Sequence, residues 1–226
     1  GGAVWSARLL LLSKNHNFPD GIGNHANQLG KYFMEHPFRA YTADIPSMQP
    51  SIKWLLGRTY QYCQPLKERG LGGVLLGFYT SPHEPQSIKI ALGIEMAPDS
   101  NNQINLSTKK ADAFGNPGVN VHLDFSEQDQ RLWHAGEEIV FDIFKRLQSD
   151  EVSKRESLHW SHHHMGGTRM SELAEDGVVD KNLRVFGTDN LYVLSSAGFV
   201  TAGVANPPLT ITALAHRLSE HITAIP

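Results

Sequence analysis

The strongest periodic pattern in the chain lies between Ser126 and Leu147, where Leu132, Trp133, Ile139, Val140, Ile143, Phe144 and Leu147 recur at three- and four-residue spacings. Apolar residues at that period fall on one side of a helix. Ser126 precedes the run and Asp129 follows it by three, so the pair can satisfy amides of a first helical turn. The bland role, a helix packed on a sheet, suffices for this segment. Leu209 to Ile222 carries a second helical signal, with Leu214, Leu218 and Ile222 on one face. From Phe38 to about Asp124 the pattern changes to short apolar runs broken by Pro, Gly, Asn and Asp, as expected of strands joined by turns. Ser87 to Glu95 reads as a strand, Asn105 to Ser107 as a short one, and Val119 to Phe125 alternates with period two. The turns at Pro98 to Asn102 and Ala113 to Gly118 punctuate an antiparallel sheet.

Two stretches near the start are ambiguous. Leu9 to Leu12 fits a short helix capped by Ser6 or a buried strand, because periodicity cannot arbitrate over so few residues; leucine's helix propensity favours the helix. Gly21-Ile22-Gly23-Asn24-His25-Ala26 has the spacing of a dinucleotide-binding turn, with Asp44 downstream where a ribose-binding acid would be sought. Such a turn must follow directly on a strand, whereas Asn15 to Asp20, with Pro19, reads as a loop. We read this region as a turn leading into a helix, without a phosphate cradle.

Composition then narrows the function classes. A chain of 226 residues has ample apolar content for one large domain or two small ones. Its net charge of -3, without a long basic run, gives no electrostatic footprint for nucleic acid. A single cysteine, Cys63, rules out an intrachain disulfide and any CxxC motif. No run of about 18 apolar residues marks a membrane helix, and no signal-peptide pattern is visible. The visible chain reads as soluble, and Gly1-Gly2-Ala3 leads straight into an apolar segment.

Candidate chemistry concentrates in His163-His164-Met165-Gly166-Gly167-Thr168-Arg169-Met170 and in Ala205-Asn206-Pro207-Pro208-Leu209-Thr210. A histidine can take a proton from an alcohol near neutral pH, and glycines beside it allow another group to approach closely. His159, His162, His163 and His164 also invite a metal reading. Zinc sites, however, want three or four converging ligands, usually with cysteine or carboxylate among them, and adjacent histidines on an extended segment point in opposite directions, so at most two of 162–164 could face one ion. Asn206 taken alone fits a helix cap, since Asn-Pro before a helical run is a common turn. Its amide can also donate to and accept from a substrate hydroxyl without competing for the proton.

These segments, together with Gly177-Val178-Val179-Asp180 and Asn190-Leu191-Tyr192-Val193, resemble in order the C-terminal end of the glucose-methanol-choline (GMC) flavoprotein oxidoreductases. The resemblance covers essentially the whole chain but only about the C-terminal half of such an enzyme. It implies an α+β fold: an antiparallel substrate domain at about 36–160 and flavin-domain pieces at 1–35 and 161–226. The family register, with the histidine three before the first glycine, selects His163 as the base; His-x-x-Gly-Thr would select His164. Asn206 matches the family position held by a second histidine or an asparagine.

The resemblance further implies FAD as cofactor, with Gly1, Gly2, Ser195, Ser196, Ala197, Asn206, Pro207 and Thr210 on its side of the site. The N-terminal dipole of the last helix would favour electron-rich flavin atoms. The segment from Asp189 to Phe199 resembles a strand and turn under the cofactor. It departs from many members, with Ser195-Ser196-Ala197 and Val200 where they have Asp-Ala-Ser and a proline. That variant and the asparagine are closer to the sugar-oxidising branches, such as pyranose oxidases and glycoside 3-dehydrogenases. The expected activity is oxidation of a hydroxyl of a sugar, glycoside or polyol by proton abstraction and hydride transfer to flavin. The glycine-rich ADP-binding turn would come from a second chain, in a split or processed enzyme. The other class in play is a catalytically silent carbohydrate-binding or assembly subunit derived from such an enzyme.

Overall fold

The computed structural model describes residues 2–47, 56–149 and 151–225. The helix expected near the start is α1, Ala3–Leu12, and it buries Ala3, Ala7 and Leu10 along one face. It starts about one turn earlier than expected, because Gly2 occupies the cap position without a side-chain bond and Ser6 lies inside the helix. Residues 13–36 hold turns and single bridges, not the helix expected after Gly21. Gly21, at φ +106°, is needed for packing: a Cβ there would lie 2.7 Å from the carbonyl oxygen of Leu10.

Strands β1 (Pro37–Asp44), β2 (Leu56–Thr59), β3 (Val74–Ser81) and β4 (Glu84–Ile94) follow, with a short helix α2 (Cys63–Glu68) between the second and third. Hairpin strands β5 (Gln103–Ala111) and β6 (Pro117–His122) come next, then helix α3 (Glu127–Arg146), β7 (Ser153–Lys154), β8 (His159–Trp160) and the last helix, α4 (Pro208–Thr223). Six strands form one antiparallel sheet in the order β2-β3-β4-β1-β7, with β8 also pairing with β1. The hairpin β5-β6 is a separate two-stranded sheet, where sequence reading expected one continuous sheet. Strand β5 is longer than the Asn105 to Ser107 segment, and β6 stops at His122, short of Phe125.

Alternation along β3 and β4 gives the large sheet two different faces. Val74, Leu76, Ile88, Ile90 and Leu92 point into a core closed by Leu132, Val140 and Phe144 of α3. That helix begins where expected: Ser126 Oγ accepts from the Asp129 amide, and Asp129 Oδ2 accepts from the Ser126 amide. Asp129 Oδ1 also accepts from the Ala97 amide at 2.7 Å, tying the helix start to the end of β4. The opposite face presents Leu75, Gly77, Tyr79, Ala91 and Gly93; Gly77, Ala91 and Gly93 leave space above the sheet, into which the Tyr79 ring reaches over Gly77.

A second core joins α1 to Leu29, Phe33, Ile104 of β5, the Val178-Val179 pair, Leu183, Val185 and Leu218 of α4. The β5-β6 hairpin therefore packs with α1 although it lies within the 36–160 segment. Met34, Met96, Met165, Phe199 and Ala202 form a third cluster, and Phe125 and Leu123 link it to its neighbours. Methionines suit such a junction because their unbranched side chains fill irregular gaps.

Candidate active site

Two antiparallel pieces of backbone set the histidines. Met34 and Met165 exchange both amide hydrogen bonds, and Pro37 pairs with Trp160, so three steps of one strand face five of the other. The surplus is a bulge at 161–164 in which His162 takes a left-handed backbone, φ +59°. The bulge turns His163 and His164 to different neighbours. His164 Nε2 lies 3.6 Å from Glu35 Oε1, and His163 faces the open side of the sheet.

His163 Nε2 is 3.3 Å from Asn206 Nδ2, and its Nδ1 is 3.0 Å from His36 Nδ1. The sequence candidates His163 and Asn206 thus meet at one pocket of about 180 Å³, with His36, Arg58 and Ser161 as further polar groups on its wall. Its floor is the small-residue face of β3 and β4. Arg58, on β2 opposite Gly77, is the one cation there among the described residues. Burial, followed by the charges of His36 and Arg58, holds the His163 imidazole below the ordinary histidine value. Burial likewise lowers His36, against the pull of the Gly203 carbonyl and Glu95. The lowered value favours the neutral imidazole, the form able to accept a proton.

Glu35, His36 and Gly203 were not singled out from the sequence. Glu35 is almost fully buried, and burial raises its carboxyl above the usual range while the His36 amide opposes this. The available signal was an acid and a histidine set against the apolar Tyr32-Phe33-Met34 and closed by Pro37. Burial also lowers His164. His159 stacks on Phe38 instead of joining the other rings, and among the described residues no three His, Cys, Asp or Glu side chains converge as metal ligands.

The expected cofactor-side residues divide into two groups. Pro207, not Asn206, takes the cap position of α4, and no side chain caps it, so the Asn206 amide is directed at His163 and not at the helix. The first-turn amides of Leu209 and Thr210 have no partner among the described residues. Gly2 stands exposed at the start of α1, and Gly1 lies outside the described residues. Ser195, Ser196 and Ala197 are buried at a 3-10 turn, Ser196–Gly198, capped by Ser195, where a turn was expected; of the strand expected before it, from Asp189, only a single bridge, Arg184 with Tyr192, forms. Ser195 Oγ accepts from the Ala197 amide and Ser196 Oγ donates to the His164 carbonyl at 2.6 Å. The Ser196 hydroxyl therefore holds the histidine segment, while the Ser195 hydroxyl caps its own turn.

The fold is shared with solved oxidases. It superposes on a formate oxidase of Aspergillus oryzae RIB40 with a TM-score of 0.69 at 16% identity, covering 99% of this chain and 53% of that one. Fold and site together define part of a flavoprotein oxidoreductase. The chain belongs to the GMC oxidoreductase family, whose model matches residues 98–215, and FAD is the cofactor of that family. Among curated relatives it is 26% identical to the fructose dehydrogenase large subunit of Gluconobacter japonicus, over 97% of this chain and 45% of that protein. It is 30% identical to a C-glycoside 3-oxidase of Microbacterium trichothecenolyticum, over 62% of this chain and 28% of that protein. The chain spans under half the length of these relatives. No helix among the described residues is long and apolar enough to cross a membrane.

Proposed function

We propose that this chain supplies the substrate pocket and proton-handling groups of an enzyme oxidising a CH–OH group of a sugar, glycoside or polyol. The observation carrying this reading is the meeting of His163 Nε2 and Asn206 Nδ2, 3.3 Å apart, at the mouth of a pocket floored by small residues. His163 takes the hydroxyl proton on Nε2. Asn206 holds the substrate oxygen, since a neutral amide donor steadies oxygen as it gains charge and does not itself titrate. The pocket's hydroxyl-compatible rim of Ser161 and Arg58 suits a polyhydroxylated substrate. The names of the two curated relatives, which act on fructose and on a glycoside, favour the same substrate class.

The donor set fits the flavin end of FAD. The unpartnered amides of Leu209 and Thr210 open α4 within a few residues of Asn206, and a helix start favours electron-rich atoms. Gly2, Asn206, Pro207 and Thr210 would face the group, and the 195–198 turn would shape the surface beneath it. The chemistry FAD supplies when bound is acceptance of the carbinol hydrogen with its electron pair. We further propose that the ADP-binding GxGxxG or GxGxxA turn belongs to another part of the enzyme, a second chain or a further stretch of polypeptide. It would cover Trp5 and Leu9 of α1 and Leu209 of α4, which are 60%, 66% and 81% exposed.

Asn206 variants test the site. Asn206→His keeps a donor beside His163, whereas Asn206→Asp puts an anion where substrate oxygen gains negative charge. Anaerobic flavin reduction is expected to rank wild type, then His, then Asp, with Asp slower by about 10². Equal rates for the two variants would leave Asn206 no part in positioning.

A further inference from the structure

His36 makes two ring hydrogen bonds whose directions are forced. Its Nε2 lies 2.8 Å from the carbonyl oxygen of Gly203, and a carbonyl only accepts, so Nε2 carries the proton. Burial disfavours the imidazolium of His36, so its Nδ1 is bare and accepts. The atom facing that nitrogen is His163 Nδ1, 3.0 Å away, which must therefore be the protonated nitrogen of His163. The remaining nitrogen of His163, Nε2, is then bare, and it is the one beside Asn206. Which nitrogen of an imidazole is free is set by the bond the other nitrogen makes.

From this we infer that His36 is a positioning residue that locks His163 in the tautomer with its accepting nitrogen toward the pocket. The backbone carbonyl of Gly203 is the fixed end of the relay. Gly203 is itself tethered through its amide: it donates to Glu95 Oε1 at 3.1 Å, and Glu95 Oε2 accepts from the Gly73 amide at 2.9 Å. The other end is anchored through the backbone, since the His36 amide donates to Glu35 Oε2 at 2.6 Å and the Ser161 hydroxyl donates to the His36 carbonyl at 2.8 Å. The rings meet edge to face, at 83° with centroids 5.1 Å apart, which leaves His163 one nitrogen for His36 and one for the substrate. When His163 gains a proton, His36 Nδ1 still accepts from its Nδ1–H, so the cation forms without rearrangement of the relay.

This inference rests on His163 acting as the base, and its test separates the two. Nitrogen NMR of the flavin-loaded, full-length enzyme with labelled histidines reads ring tautomers without reference to turnover. The expected result is protonated Nδ1 with bare Nε2 for His163, and the reverse for His36. Reversed tautomers would overturn the relay whatever His163→Ala does to the rate. The expected tautomers with an unaffected rate in His163→Ala would instead refute the base assignment alone. Two variants supply a second reading. His36→Asn places an amide oxygen where Nδ1 was and keeps the acceptor for His163. His36→Gln reaches Gly203 with an amide nitrogen and lacks that acceptor. The relay expects His36→Gln to reduce flavin at least about tenfold more slowly than His36→Asn, as an ill-presented base should. A purely packing role for His36 favours the longer glutamine, so the opposite ranking would overturn the proposal.

Discussion

In His163→Ala, FAD is expected to remain bound while its reduction by substrate slows by about 10² to 10⁴, the scale for losing a positioned general base. The first-turn amides of α4, proposed above to face the flavin, are untouched by the change, and the vacated volume opens onto the pocket, so folding should survive. His164→Ala is expected to be the milder change, because His164 points to Glu35 and not to the substrate side. The opposite ranking would move the base one residue along. The pH dependence has a definite sign. Only neutral His163 can accept the proton, and burial lowers its pKa. The reduction rate should therefore fall on the acid side as His163 becomes protonated, with the midpoint below the ordinary histidine value. Rapid mixing without oxygen across pH checks this, and the acid limb should be absent from His163→Ala.

Gly166→Ala is expected to abolish or severely weaken folding. Gly166 sits at φ +77°, and a Cβ there would fall on the carbonyl of Tyr32. Neither side can yield, because Met34 and Met165 are cross-linked by paired amide bonds and the Gly166 amide is held by the Ser196 carbonyl at 3.0 Å. Left-handed strain and overpacking each cost roughly 1–3 kcal/mol, against a typical total stability of about 5–15 kcal/mol. Thermal unfolding followed by circular dichroism is expected to show a fall in Tm of many degrees, or no folded protein. A variant that melts with the wild type would mean that the backbone around Gly166 relaxes and that this glycine is not what permits the close approach.

The most legible parts of the fold were those with a strong local signal. Helix α3 declares itself through Ser126, Asp129 and its apolar stripe, and its capping box forms as expected. Strand β4 and helix α4 were likewise readable from period and termini. The failures have a common cause in tertiary override of local pattern. Gly21 and Gly23 serve close packing against α1 and Val185, so the turn near them leads to no helix. The β5-β6 hairpin carries ordinary strand signals, and nothing local says that Ile104 packs with α1 instead of the large sheet. The strand expected from Asp189 shrinks to a single bridge of Tyr192 with Arg184, while the turn expected after it forms at Ser196–Gly198, where the Ser196 hydroxyl and carbonyl are bound by the 164–166 segment. At the site, His163 and Asn206 were visible through their motifs. His36 was not, since it acts through a carbonyl 167 residues away along the chain.

A flavin bound beside the His163 and Asn206 pocket is expected to be reduced by a carbohydrate or polyol hydroxyl. The most direct measurement is the visible spectrum of the protein purified from its natural source, so that whatever completes the site is present. It should be mixed without oxygen with a panel of sugars, glycosides and polyols. The expected result is a yellow protein whose flavin absorption bleaches with at least one of them, and does so far more slowly in His163→Ala. A colourless protein that still binds sugar, or a yellow one that no member of the panel bleaches, would contradict it.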